Sequence, residues 1–189
     1  MWVRADTLAI MSSIDPSPAP AAEATIPRRA LSPCDQDAAR TLWEEYAEAH
    51  PVAASANPGF LVDQFGDHAE LADELLELVL TGRKTSTASL LAEYVWEGET
   101  PPGIGAHTVF CDGHGAPRAI VRTIGLALAR FYDVDAEHAW AEGEGDRSLA
   151  HWRTEHRRFW ERVCTAAGRS FSTDMEVLME RFDVVWAAP

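Results

Sequence analysis

Lysine is almost absent from this chain. Of its 16 basic residues only Lys84 is a lysine, the rest being arginine. Cysteine is scarce as well: Cys34, Cys111 and Cys164 lie far apart, and none forms a C-x-x-C pair. That pattern excludes a zinc knuckle and a disulfide framework, and reduced thiols point to a cytoplasmic location. No apolar run is long enough to span a bilayer, so no membrane partner is expected. Leu8-Ala9-Ile10-Met11, with Asp6 just before it, is too short for the core of a secretion signal. Excess positive charge is missing too. The net charge is −14, which excludes a protein that tracks duplex nucleic acid through a dominant basic field.

What is present is a globular composition. The chain has 189 residues, 47% of them apolar and seven of them tryptophan, which suits one domain with a real core plus a tail. Charge is unevenly placed. Residues 35–81 carry eleven acids against Arg40 alone, whereas residues 147–169 carry six arginines against Glu155 and Glu161, with His151 and His156 among them. Such a basic segment suits a single phosphate or nucleotide, or serves simply as the solvated face of a helix.

Residues 1–33 read as a disordered tail, because Pro16, Pro18, Pro20, Pro27 and Pro33 interrupt an alanine-rich stretch with little apolar periodicity. Residues 34–189 read as one domain. Asp35 is placed to cap a helix over 35–49, which Pro51 ends. Asp67-His68-Ala69-Glu70 has capping-box spacing, with Asp67 in the cap role, and opens a helix striped by Leu71, Leu75, Leu78 and Val79. Gly82 suits its C-terminal stop, where the charges of Arg83 and Lys84 are also favourable. Strands are expected over 85–89, 107–111, 118–131 with a bend at Gly125, and 176–186 with Leu178, Phe182, Val184 and Trp186 alternating. Asp112-Gly113-His114-Gly115 reads as a hairpin turn. Asp135 and Ser148 are placed to cap two further helices. Trp140, Trp152 and Trp160 read as core. Few strands and segregated helices indicate an α+β domain built on a small curled sheet or barrel.

Two segments stand out chemically. One is Gly82-Arg83-Lys84-Thr85-Ser86-Thr87, and the other is Ala141-Glu142-Gly143-Glu144-Gly145-Asp146-Arg147-Ser148. A threonine hydroxyl needs a base to become a nucleophile. A desolvated lysine with a depressed pKa provides one, or its ammonium holds an oxyanion. A carboxylic acid protonates a leaving amine. These residue types suit amide cleavage. Lys84 and Thr87, three apart, share a site only if the chain bends or Lys84 precedes the strand. His151/Glu155 and His138/Glu142 each lie one helical turn apart, as metal ligands often do. They sit on separate segments, however, and no metal or cofactor is expected.

The first segment resembles the opening motif of the ASCH domain, a relative of the PUA fold: glycine, a basic residue, lysine, threonine, any residue, threonine. The run from Ala141 to Leu149 followed by Trp152, and the closing Met179–Val185 stretch, resemble two further ASCH motifs in the same order. The resemblance covers about residues 60–187. It implies a PUA-like β-barrel flanked by helices, here with an added N-terminal helix, and a cleft for RNA or a modified nucleoside. Some small bacterial relatives are amidohydrolases that deacylate N4-acetylcytidine with a lysine, a threonine and a glutamate. By motif these roles fall on Lys84, Thr87 and Glu144, with Glu142 open as the alternative. Arg83, Thr85, Arg147 and Ser148 are the expected substrate contacts, and Trp96, read as part of a polar loop, is the expected stacking ring. The partner implied is a nucleoside, nucleotide or single-stranded RNA. Binding of RNA without catalysis is the competing expectation. A ribonuclease using Lys84 with His151 is a third.

Overall fold

A computed structural model describes residues 28–188 of the chain, so most of the expected tail lies outside the described residues. Residues just before the first helix run along the hairpin at 112–116, with Ser32 N–H donating to Gly113 O (3.3 Å) and Asp35 N–H to Gly115 O (2.9 Å). The Asp35 carboxylate then accepts from Asp37 and Ala38 N–H and starts α1 (Gln36–Ala49). Pro51 ends α1 as expected but also opens a short α2 (Pro51–Ala56) from its first position, where a missing N–H costs nothing. There follow β1 (Leu61–Asp63), α3 (Ala69–Leu80), β2 (Ser86–Leu90), α4 (Leu91–Glu97), β3 (His107–Cys111) and β4 (Pro117–Arg130). A 3-10 turn (Phe131–Asp133), α5 (Ala136–Glu142), α6 (Leu149–Ala166) and β5 (Glu176–Ala187) complete the chain.

The five strands form one sheet in the order β1-β3-β4-β5-β2. Only the β1–β3 pair is parallel. The long β4–β5 pair shifts register at Ile120/Val121 and again at Thr123/Gly125, where a bend is expected. Such irregularities increase local twist and curl a sheet. The result is an α+β half-barrel whose two edges are β1 and β2.

Helix α3 buries Leu75, Leu76 and Val79 against Phe65, Phe110, Val121 and Phe182. Each such aliphatic side chain contributes about 1.5–3 kcal/mol. Its N-cap is His68 rather than Asp67, because the Asp67 carboxylate is already held by the His68 ring and Arg162. A second cluster gathers Phe131, Trp152, Trp160 and Cys164 under α5 and α6. A third packs α1 on β3 and β4 through Leu42, Tyr46, Val109 and Ile120. Three expectations fail here. Trp140 is 59% exposed, and Arg147 lies over its ring at 4.1 Å. Val184, next to a register shift, is 39% exposed. Trp96 lies in α4, not in a polar loop, and packs against the second cluster under the Arg169 guanidinium. Among the described residues no helix is long and apolar enough to cross a membrane.

Candidate active site

A cleft of about 980 Å³ opens in the gap between the edge strands. Residues 61–63 of β1 and 87–89 of β2 form its sides, and α3, α4 and α6 contribute to its walls. Lys84 lies at the floor because of how α3 stops. Gly82 takes a left-handed φ of +71°, and the N–H groups of both Arg83 and Lys84 turn back to Leu78 O at 2.8 Å. That reversal leaves Arg83 outside and points Lys84 inward. Lys84 therefore precedes β2, and it shares the cleft with Thr87 despite their spacing.

The Lys84 side chain is 1% exposed. Its Nζ donates to Glu142 Oε2 at 2.6 Å and to Glu144 Oε1 at 2.7 Å. Burial by itself would lower the lysine pKa, but the two carboxylates outweigh it and hold the pKa above its ordinary value. The depressed amine needed for a general base is thus absent. Lys84 is a fixed ammonium, the form that stabilises an oxyanion.

Glu142 is the hub of this arrangement. Its Oε1 accepts from His138 Nε2 (2.8 Å) and Trp152 Nε1 (2.7 Å), and His156 Nε2 lies 3.5 Å away. Burial pushes its pKa up, yet Lys84, His156 and His138 overcome this and hold it well below the usual carboxylate range. Glu142 is ionised and fully engaged, so it suits holding Lys84 rather than passing protons. The Glu144 side chain is 20% exposed and, among the described residues, hydrogen-bonds only Lys84. Both glutamates line the cleft, and of the two Glu144 is the more exposed.

The pair has a stability signature. Glu142, with its lowered pKa, contributes stability that is present above the ordinary glutamate value and lost as pH falls through the lowered one. Lys84, with its raised pKa, contributes below the ordinary lysine value and loses that contribution as pH rises through the raised one. Glu142→Gln is therefore expected to lower Tm near neutrality and to flatten its fall on acidification towards about pH 3. Parallel Tm–pH curves for the two proteins would contradict this.

The other expected contacts brace the loop that carries Glu144. Arg83 Nη2 donates to Gly145 O (2.6 Å), and Arg147 donates to Trp140 O (3.0 Å) and Arg83 O (3.3 Å). Thr85 bonds Ala141 O through its backbone N–H and its hydroxyl, and Ser148 Oγ caps α6 by accepting His151 N–H. Gly143, with φ +73°, lets the loop touch down, since a Cβ there would collide with the Arg83 carbonyl. None of Arg83, Thr85, Arg147, Ser148 or Trp96 lines the cleft.

The cleft also carries acidic side chains that no sequence motif marks. Asp63, Glu93, Glu97, Glu99 and Glu180 all face the cleft. The Asp63 side chain is reached by water, yet the surrounding walls desolvate it and push its carboxyl up to about 6. Burial likewise raises the pKa of Glu93 and of Glu180, whose Oε1 accepts the Thr123 hydroxyl. His138/Glu142, one turn apart on α5, is a hydrogen-bonded pair, and among the described residues no group of three or more metal-binding side chains is arranged around an ion.

Over residues 61–186 the chain matches the ASCH domain family. It resembles the crystal structure of an ASCH domain from Lactobacillus crispatus, with a TM-score of 0.74 and 30% identity, over 79% of this chain and 95% of that one. A crystal structure of an Enterococcus faecalis protein is similar, with a TM-score of 0.71 and 29% identity over 79% of this chain and 89% of that one. No curated protein matches.

Proposed function

The chain belongs to the ASCH domain family, and from that premise we propose that it is an amidohydrolase that deacylates an N-acylated cytidine-like nucleoside or nucleotide. One observation carries the reading: a buried ammonium, Lys84, is held at the floor of a cleft large enough for a nucleotide by two carboxylates, of which Glu144 is the more exposed. The amide carbonyl oxygen is placed at Lys84, which stabilises the oxyanion as the tetrahedral centre forms. Thr87 either attacks the carbonyl carbon or holds the water that does. Glu144 takes the proton from the attacking hydroxyl and delivers it to the departing N4, so that the C–N bond breaks and a free amine leaves. On the Thr87 route, water then hydrolyses the acyl ester, with Glu144 again as base, and releases the carboxylic acid. Glu142 anchors Lys84 throughout.

The test is release of acetate from N4-acetylcytidine by the wild-type protein beside Lys84→Arg. Turnover by the wild type that falls at least about tenfold in the variant is expected, because the planar guanidinium keeps the charge without the point geometry. Undiminished turnover in Lys84→Arg would remove the lysine from the chemistry, and absence of turnover in both would remove the activity.

A second reading is binding of single-stranded RNA without catalysis. It draws on His151, Arg158 and Arg162, which line the cleft from α6. A steep fall of oligonucleotide affinity with salt would favour it, since several phosphates then displace counterions.

A further inference from the structure

The cleft carries both arginines and carboxylates and has a length, and together these select among ligands. Among the α6 residues that line the cleft, His151, Glu155, Arg158 and Arg162 share one helical face. The His151 ring lies against Gly145, immediately beyond Glu144, so this end of α6 adjoins the Lys84–Glu144 pair. From His151 to Arg158 the helix rises about 10 Å. That is comparable with the span from a cytosine exocyclic amine to the 5′-phosphate of the same nucleotide. Asp63, Glu97, Glu99 and Glu180, which line the cleft from other elements, repel a phosphate, whereas α6 offers it Arg158 and Arg162.

The two arginines differ in availability. Arg162 is held by Asp67 Oδ2 through Nε at 2.9 Å and Nη2 at 2.7 Å. Arg158 meets Glu155 at 3.3 Å, in a pair whose side chains are 62% and 40% exposed. An exposed pair of this kind is weak and readily exchanged for a phosphate, which guanidinium binds through two parallel hydrogen bonds.

We infer that the ligand of this cleft is a nucleoside monophosphate rather than a neutral nucleoside, with its 5′-phosphate on Arg158 and its base towards Lys84. The inference rests on the reading of the cleft as a nucleoside site. Its test is equilibrium binding of cytidine and of cytidine 5′-monophosphate to the full chain at low and high salt, for the wild type and Arg158→Gln. The nucleotide is expected to bind about tenfold more tightly at low salt, with the gap narrowing as salt rises. Arg158→Gln, at an exposed position outside the core, is expected to bring the ratio of the two affinities to within about twofold. Equal or weaker binding of the nucleotide by the wild type would overturn the phosphate assignment alone, as would a preference that survives in Arg158→Gln. Binding of neither ligand would overturn this inference together with the nucleoside reading on which it rests.

Discussion

Replacing Lys84 by methionine is expected to destabilise the fold by about 3–5 kcal/mol, measured by urea unfolding near neutral pH. The size of the effect comes from what the substitution leaves behind. Glu142 is 1% exposed and loses the 2.6 Å ammonium contact that keeps it ionised. His138 and Trp152 still donate to it, but neither donor supplies the permanent charge of the lysine. A buried charge stripped of its partner costs far more than a neutral group in the same place. Lys84→Met combined with Glu142→Gln should therefore be more stable than the sum of the two single losses predicts, because the pair is removed together. Strict additivity of the two substitutions would show that Lys84 and Glu142 do not depend on each other, and the account of the floor of the cleft would fail with it.

Glu144→Gln is expected to lower turnover of N4-acetylcytidine by roughly 10²–10⁴-fold while leaving the urea midpoint nearly unchanged. Glu144, with a side chain 20% exposed, has Lys84 as its single side-chain hydrogen-bond partner among the described residues, so the amide removes less from the fold than the loss of Glu142 would. What it removes is the group that accepts and returns the proton. The contrast with Glu142→Gln is the informative part. Glu142 accepts from Lys84, His138 and Trp152, so its replacement should appear first in stability and its pH dependence, and in activity through a displaced Lys84. Turnover that survives Glu144→Gln would transfer the proton role elsewhere and leave Glu144 as an ornament of the ion pair.

Much of the frame was readable because its signals are local. Asp35, Asp135 and Ser148 cap the helices that follow them, Gly82 stops α3 with a positive φ, and the turn at 112–115 closes the β3–β4 hairpin. Each rests on a few neighbouring residues and their backbone preferences. The shortest elements were not readable. β1 has three residues, and α4 is a seven-residue helix in a segment rich in glutamate, where Glu93 supports the N-terminus by accepting Leu90 N–H. Asp67 does not cap α3, because its carboxylate goes to Arg162, on a helix far along the chain. His138/Glu142 and Trp152/His156 are both pairs one helical turn apart, and three of these side chains meet around the fourth, the carboxylate of Glu142.

Residue order alone supplies the available groups: a single lysine beside a helix stop, a threonine at the start of a strand, and two glutamates in a glycine-rich turn. It also determined the α+β class and the family, since both follow from local periodicity and from motifs whose residues are contiguous. What those groups become is set by contacts between distant parts of the chain. The tertiary structure tied the lysine to both glutamates at once, which keeps it an ammonium, and it separated an engaged carboxylate from a more exposed one. It also brought acidic side chains from β1, α4 and β5 and arginines from α6 to one cleft. Protonation and charge complementarity depend on burial and on partners brought from distant parts of the chain, and those exist only once the sheet has curled and the helices have closed over its open edges.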